Sequence, residues 1–496
     1  MKLLSTIQEK LNPKQVIATQ EVMINGVTTD SRKVTPGGMF ICLRGVHTDG
    51  HEFANQAVEA GAAAVVTERK LTLPETVTQF IVDDSRTAMQ KIIPFFYDYP
   101  ADSMRIIGVT GTNGKTTVTH MIAHLLRHQG AKIGLLGTVH VLIGDKEYPT
   151  ANTTPDVDVM QYWLAKMKAE GVTHVIMEVS SHALVLGRVA GISFDVAVFT
   201  NLTQDHLDFH KTMAAYAKAK QKLFTALCAS DNESNTAAVI NIDDPYGQMM
   251  ALAVNGTACD VVMYGMNESA SVRAKDIIVT AAGSDFVLVA DGVEYPCQTA
   301  IMGMFNIYNM LAAIAVAHHE GMKMADILVA LRQFRAVAGR FERIDEGKDF
   351  AVIVDYAHTP DGLEKILRTA REMTAGRVLI TFGCGGDRDS SKRPIMGKIA
   401  AQYANVVWVT SDNPRTEDPE RIIDDVYEGC VQGKSAYTEI HRETDRHRAI
   451  ARVIEMAQTG DVVLIAGKGH EDYQIIGEEK IHFDDREEAR KVLRRL

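Results

Sequence analysis

The sequence predicts an α/β protein of three domains. These are a smaller N-terminal α/β domain, a central parallel-sheet domain with a phosphate-binding loop, and a C-terminal Rossmann-like α/β domain. Three observations carry this. At 496 residues the chain is long for one core, and domains of about 100–200 residues are the natural division. From Arg105, short apolar strands ("MRIIGVT", "AKIGLLG", "THVIMEVS", "DVAVFTNL") alternate with helical patterns such as "KTTVTHMIAHLLRHQG", which argues a parallel sheet covered by helices. After "AGRFERI" a second series begins: "FAVIVDYAH", "RVLITFGCGG", "NVVWVT" and "DVVLIAGKGH".

Taken in order, residues 1–104 mix short strands and helices, "GGMFICLRG" and "GAAAVVTER" being the clearest strands, and end in the linker Tyr99 to Ser103. Residues 105–338 form the central domain; within it 271–299 read as β-hairpins and "NIYNMLAAIAVAHHEGM" as a long helix. Residues 339–496 form the last domain. The hydrophobic fraction of 46% and charged fraction of 23% are those of an ordinary globular chain. A net charge of −11 gives nucleic-acid binding no global support, so cations for an anionic substrate must be gathered locally. The six cysteines are scattered without CxxC or zinc spacing, which fits reduced thiols in a cytosol. "MKLLSTIQEKLNPKQ" has no sustained apolar run, so neither a signal peptide nor a membrane span is expected there.

"GVTGTNGKTT", Gly108 to Thr117, joins a predicted strand to a predicted helix. There the backbone N–H groups and the positive helix end face an anion, Lys115 reaches the β- and γ-phosphates, and Thr116 can hold Mg²⁺. The strict pattern has Gly at 109; Val109 stands there, with glycines at 108 and 111. A Gly-rich turn with a helix-capping Thr is the bland alternative. Gly-Lys-Thr-Thr between strand and helix favours an ATP site made by Gly111, Thr112, Asn113, Gly114, Lys115, Thr116 and Thr117.

"TGTNGKTT" resembles the loop of the Mur ligases and folylpolyglutamate synthetases, which couple ATP cleavage to amide-bond formation. "TTDSR", "ANTTPD", "MEVSSHALVLGRV", "TNLTQDHLDFH", "FNIYNMLAA", "AGRFERI", "VDYAHTPDGLE", "FGCGGDRDSSKRP", "DNPRTEDP" and "GKGHEDYQ" follow in order over essentially the whole chain. Together they are similar to the Mur ligase family, and within it to members that add meso-diaminopimelate to a UDP-muramoyl dipeptide. The resemblance implies a cytoplasmic, monomeric enzyme of peptidoglycan precursor synthesis, without a nucleic-acid partner. ATP phosphorylates a carboxylate, the incoming amine attacks the acyl phosphate, and phosphate leaves. Cations and Mg²⁺ must offset the repulsion between such anionic partners.

The same resemblance assigns residues. Lys115 and Thr116 serve the triphosphate and a first Mg²⁺. Glu178 and His206 follow the predicted strands "THVIM" and "DVAVF", at the carboxyl ends where open α/β sheets place their sites, and match ligands of a second metal. Either alone would ordinarily be a polar residue at a strand end. Lys220 falls where the family carries a lysine carbamylated by CO₂, an anion able to ligate Mg²⁺. By composition alone Lys218, Lys220 and Lys222 would be a solvated helix face, and nothing intrinsic selects Lys220. Asn306 and Asn309, at helical spacing, can supply the donor–acceptor pairs an adenine edge needs, although helix capping would also explain Asn306. Arg340 resembles an arginine at the ATP phosphates and His358 a residue near its ribose.

For the UDP substrate, Ser31 with Val46, His47 and Thr48 matches an N-terminal uridine site, and Asn152, Thr153, Thr154, Ser180 and Arg188 match central contacts. One departure is Leu186, where the family often has Gln; an aliphatic side chain neither donates nor accepts. Finally, "SDNPRTEDP" forms a polar strand-to-helix corner. Asp412, Asn413 and Pro414 are turn formers. Arg415 is either paired locally with Glu417 or Asp418 or aimed at the distal carboxylate of diaminopimelate, with Arg388, Gly467 and Glu471 completing the pocket. Three rivals stand beside this reading: a nucleotide-dependent switch, a folylpolyglutamate synthetase, and a lysine-adding ligase.

Overall fold

The computed structural model describes residues 1–18, 21–45, 48–150, 152–227 and 235–496. They divide into two compact units, Met1–Tyr264 with Ala315–Met322, and Gly265–Ile314 with Lys323–Leu496. Among the described residues no helix is long and apolar enough to cross a membrane.

The first unit opens with a small sheet of β1 (Gln15–Ile17), β2 (Val27–Thr28), β3 (Met39–Ile41), β4 (Ala64–Thr67) and β5 (Thr78–Ile81), ordered β1-β5-β4-β3-β2 and parallel except at β1. Its larger sheet comprises β6 (Arg105–Thr110), β7 (Ile133–Leu136), β8 (Val141–Ile143), β9 (Lys146–Tyr148), β10 (His174–Glu178), β11 (Val196–Phe199), β12 (Ala237–Asn241) and β13 (Asp260–Gly265). Their order is β9-β8-β7-β10-β6-β11-β12-β13, parallel from β7 to β13 with an antiparallel edge at β8 and β9. Strands β7, β11 and β12 are buried at every residue, as a sheet covered on both faces requires. Met160, Leu164 and Met167 of the helix Val157–Ala169 pack into that core with Val175, Met177 and Phe199.

In the second unit β14 (Val272–Thr280), β15 (Gly283–Ala290) and β16 (Val293–Thr299) form the two hairpins expected at 271–299. A further sheet holds β17 (Glu342–Ile344), β18 (Ala351–Asp355), β19 (Val378–Phe382), β20 (Val406–Thr410), β21 (Glu439–Glu443) and β22 (Val462–Ala466) in the order β17-β18-β22-β19-β20-β21. All neighbours are parallel except β17 and β18. Side chains alternate along each strand, so Ile353, Ile380, Val407 and Leu464 enter one core while Val352, Leu379, Val406 and Val463 enter another. Helices Pro360–Met373, Lys392–Tyr403 and Pro419–Gly433 cover the first face; Arg446–Glu455 and Asp485–Leu493 cover the second. A short antiparallel pair, β23 (Tyr473–Ile476) and β24 (Glu479–His482), follows β22.

Candidate active site

In the first unit the functional side chains gather at the carboxyl ends of β6, β7, β10 and β11, the end at which parallel sheets expose loops and helix N-termini. The loop after β6 turns through Gly111 and Gly114. Gly114 sits at φ +86° as N-cap of the helix Lys115–His128, and a Cβ on Gly111 would run into the Thr200 hydroxyl. Gly114 brings no side chain to cap that helix, and the positive end of its dipole lies at the loop, where an anion is favoured. Asn201 holds the loop open: Thr112 N donates to its carbonyl at 2.8 Å and Asn113 N to its Oδ1 at 3.0 Å. Lys115 Nζ lies over the loop, donating to the carbonyls of Gly111 (3.1 Å) and Thr112 (2.9 Å), and Thr117 continues the first turn.

Thr116 Oγ1 donates to Glu178 Oε2 at 3.1 Å. Glu178 is buried and also accepts from Thr138 N at 2.8 Å and Thr138 Oγ1 at 3.1 Å. This hydroxyl–carboxylate pair is an oxygen-only donor set, the kind a hard cation such as Mg²⁺ takes while keeping several waters. Among the described residues there is no group of three His, Cys, Asp or Glu side chains arranged for a metal ion. His206, at φ +54°, begins the short helix Leu207–His210 with its ring against His182 (centroids 4.8 Å apart) and Tyr216 (6.1 Å). Partial burial lowers its pKa, Lys115 and Lys220 add to that, and Asp205 opposes it.

The solvated lysine face that composition suggests does not hold at Lys220. Lys218 and Lys222 are exposed, but Lys220 is only 1% exposed. Its Nζ donates to Gly111 O at 2.7 Å and lies 4.5 Å from the Tyr216 ring centre. Burial, with the Lys115 charge nearby, pushes its pKa well below the ordinary lysine value. As an amine it donates to a carbonyl and is no ligand for a hard cation; only as a carbamate would it fit a Mg²⁺ site.

Of the candidate substrate residues, Thr154 is buried, with its hydroxyl donating to Glu178 O (2.8 Å) and accepting from Ser180 N (3.1 Å). Ser180 caps the helix Ser181–Leu186, and Arg188 Nη1 donates to Thr154 O at 3.1 Å. The Thr153 and Thr138 hydroxyls lie 3.0 Å apart, and Asn152 is exposed. The structure thus joins Thr153, Thr154, Ser180 and Arg188 to Glu178, while Asn152 stands apart. The Leu186 side chain offers no polar group, but its carbonyl accepts from Gln90 Nε2 at 3.1 Å. Ser31 Oγ donates to Gln56 Oε1 at 2.9 Å, and Thr48 is exposed. Val46 and His47 lie outside the described residues.

In the second unit Asn309 Nδ2 donates to Asn306 Oδ1 at 2.9 Å and Asn306 Nδ2 to Met302 O at 2.8 Å, both side chains being buried. Asn306 is inside the helix Met304–His319 rather than its N-cap, so capping by its side-chain oxygen is not its role. Arg340 stacks on Tyr356 (4.6 Å), and His358, exposed, lies against the same ring (4.7 Å).

Neither acid near Arg415 in the chain forms an ion pair with it. Glu417 is taken by the buried Arg393, whose Nη2 donates to both its oxygens at 2.9 Å, and Asp418 caps the helix Pro419–Gly433. Arg415 instead donates Nη1 to Gly386 O at 2.7 Å. Its backbone is left-handed (φ +52°) and clamped on both sides: Arg415 N to Ile475 O (3.1 Å) and Gly477 N to Arg415 O (2.8 Å). A non-glycine residue there costs of order 1–3 kcal/mol and persists where the surroundings over-determine it. Asp412 and Asn413 are buried beside Pro414, Asp412 with Lys468 and Asn413 with Glu471. Gly467 turns at φ +115°, and Arg388 is exposed on the loop after β19. These residues follow β19, β20 and β22, three adjacent parallel strands, at their carboxyl ends.

Family models match three stretches: "Mur ligase family, catalytic domain" over residues 23–97, "Mur ligase middle domain" over 109–317 and "Mur ligase, glutamate ligase domain" over 339–469. A relative from Geobacillus thermodenitrificans, named UDP-N-acetylmuramoyl-L-alanyl-D-glutamate–2,6-diaminopimelate ligase, is 49% identical over 94% of each chain. One of the same name from Lactiplantibacillus plantarum is 46% identical over 98% of this chain and 97% of its own. The chain belongs to the Mur ligase family. A solved structure of a ligase with that name aligns at 35% identity and a TM-score of 0.71, covering 99% of this chain and 98% of the other. A Mur ligase structure from Acinetobacter baumannii, 17% identical with a TM-score of 0.64, shares the fold.

Three residues of this Mur ligase were missed by sequence reasoning. Thr138 carries two bonds to Glu178, and its position just past β7 was the available signal. Arg393 and Lys468 stand inside quoted stretches, "SKRP" and "GKGH", yet only their burial shows that they organise acids rather than face solvent.

Proposed function

We propose that this Mur ligase adds meso-diaminopimelate to UDP-N-acetylmuramoyl-L-alanyl-D-glutamate, cleaving ATP to ADP and phosphate, as a cytoplasmic monomer in peptidoglycan precursor synthesis. The observation that carries the amino-acid choice is Arg415: its guanidinium forms no direct ion pair with Glu417 or Asp418, the two acids within three positions of it, while the exposed Asp387 feels its charge. A planar, permanently charged fork suits the carboxylate that distinguishes diaminopimelate from lysine.

In this reading Lys115 and the loop 111–117 bind the phosphates, Asn306 and Asn309 the adenine, and Arg340 and His358 the nucleotide's phosphates and ribose. Ser31, Val46, His47 and Thr48 take the uridine end, while Asn152, Thr153, Thr154, Ser180 and Arg188 take the muramoyl dipeptide. Thr116, Glu178, His206 and carbamylated Lys220 would hold Mg²⁺, which when bound supplies positive charge to offset that of the phosphates. The γ-phosphoryl group passes to the dipeptide's carboxylate. The free amine of diaminopimelate then attacks the acyl carbon and phosphate departs. Arg388, Asp412, Asn413, Pro414, Arg415, Gly467 and Glu471 hold the amino acid, Glu471 facing its distal ammonium.

The test is an amino-acid panel in a ligation assay with the UDP-muramoyl dipeptide and ATP. Product is expected with meso-diaminopimelate and not with L-lysine. Preference for lysine would establish the lysine-adding rival, and ATP hydrolysis indifferent to both substrates would establish a switch.

Lys220 carries a separate expectation. Its depressed pKa leaves an amine free to attack CO₂, forming an N–C bond and releasing a proton to give an anionic carbamate. Lys220→Ala should be nearly inactive, and short carboxylic acids should restore part of the rate by replacing the lost anion. Full activity in Lys220→Ala, or in CO₂-depleted enzyme shown to lack the carbamate, would sink this assignment.

A further inference from the structure

Lys468 follows Gly467 past the end of β22, and its side chain is fully buried at 0% exposure. The ammonium donates to Asp412 Oδ1 at 3.0 Å, to Asn413 Oδ1 at 3.1 Å and, at 3.5 Å, to Glu471 Oε2. Three donors meet three acceptors, and every acceptor belongs to the pocket given above to the amino acid. Sealed in this way, Lys468 touches no substrate itself.

We propose that Lys468 is the positioning residue of the amino-acid pocket, fixing the orientation of Asn413 and Glu471 for the incoming diaminopimelate. The proposal rests on the amino-acid reading of this site. Asn413 Oδ1 accepts from both Lys468 Nζ and Ile475 N (3.0 Å), so its NH₂ group must face the other way, onto Glu471 Oε2 at 3.1 Å. Glu471 Oε2 is therefore held by two donors, while Oε1 accepts no hydrogen bond among the described residues. The carboxylate is oriented with one oxygen anchored and the other presented.

The same lysine acts on Asp412 by charge. Facing Asp412 are Lys468 and Glu471 from one turn, Arg446 (paired with Asp485), His358 and Tyr356 after β18, Tyr473 of β23, and Cys384 after β19. Burial raises the Asp412 pKa, but Lys468 and then Arg446 oppose it, and the net result lies below the ordinary carboxylate value. Without the lysine cation the burial cost is less opposed, so the carboxyl protonates at higher pH.

The experiment compares wild type with Lys468→Met and with the double variant Lys468→Met/Asp412→Asn, which removes the buried charge that Lys468→Met leaves uncompensated. In Lys468→Met the KM for diaminopimelate should rise about tenfold or more, by analogy with truncating one partner of a buried charged pair, while the KM for ATP stays within about twofold. The acid limb of kcat/KM for diaminopimelate should move up by about 1–3 pH units. The double variant should keep the raised KM and lose that limb, and it serves where the single variant does not fold. An unchanged diaminopimelate KM in either folded variant, or a parallel rise in the ATP KM, overturns the positioning role. If wild type instead ligates another amino acid, the substrate reading fails, and Lys468 is judged on the KM for that amino acid.

Discussion

Lys115→Ala is expected to abolish ligation. In the structure Lys115 Nζ rests on the Gly111 and Thr112 carbonyls, at the mouth of a loop whose helix begins without a side-chain cap. Those carbonyl contacts are weak competitors for a triphosphate, which offers the ammonium full charges in place of dipoles. In the proposed role, removing the loop's cation takes away the group that would meet the β- and γ-phosphates as charge shifts between them. Loss of a single well-placed donor to developing charge costs roughly 10²–10³-fold in kcat, and a full cation is expected to cost at least that. Neither carbonyl needs the lysine for burial, since the side chain is only partly enclosed, so the variant should fold and melt as wild type does. The measurement is product formation at saturating ATP together with thermal unfolding. Substantial turnover in a normally folded Lys115→Ala protein would count heavily against the phosphate-loop assignment.

The second large effect is expected at Arg415. Wild type should use meso-diaminopimelate and reject L-lysine, because lysine would leave the guanidinium desolvated without a carboxylate partner. Losing such a charged pair costs roughly 2–5 kcal/mol, about a 30- to 5,000-fold discrimination. Arg415→Ala should lose affinity for diaminopimelate by a comparable factor while its affinity for ATP changes little. The local alternative, a pair with Glu417 or Asp418, would have been worth only about 0–1 kcal/mol at the surface, and the structure assigns both acids elsewhere. Replacement of an αL residue by Ala keeps the backbone cost, so a fold control is needed here too; unfolding should change little. Wild-type kinetics for diaminopimelate in Arg415→Ala would reduce Arg415 to a corner residue.

The sequence by itself determined the central strands of the two parallel sheets, because strand periodicity is local, while edge strands such as Val141–Ile143, Lys146–Tyr148 and Glu439–Glu443 were not read from it. The apolar runs at 105–110, 174–178, 378–382 and 462–466 all became buried parallel strands, and the hairpins fell at 272–299. It also showed the strand, glycine turn and Lys-Thr helix start of the candidate phosphate loop, which must be contiguous in the chain to cradle an anion. Glu178 was legible as a strand-end residue, whereas His206 lies beyond β11 at the start of the helix Leu207–His210; the role of both came from resemblance.

Only the tertiary structure decided which of three helical lysines is buried: Lys220 meets Gly111 from 109 positions away, and the spacing of 218, 220 and 222 carries no trace of that. It alone decided the fate of Arg415, because the partner that removes Glu417 is Arg393, brought from a different helix. Lys468 was unreadable for the same reason. One residue in a glycine-flanked turn looks solvated, yet its partners Asp412 and Asn413 come from the end of β20, which lies two strands from β22 with β19 between them, brought together by sheet order and not by sequence. Periodicity fixes what a residue's own element does with it; burial and charge pairing depend on the elements packed against it, and so they follow from the order of strands in the sheet.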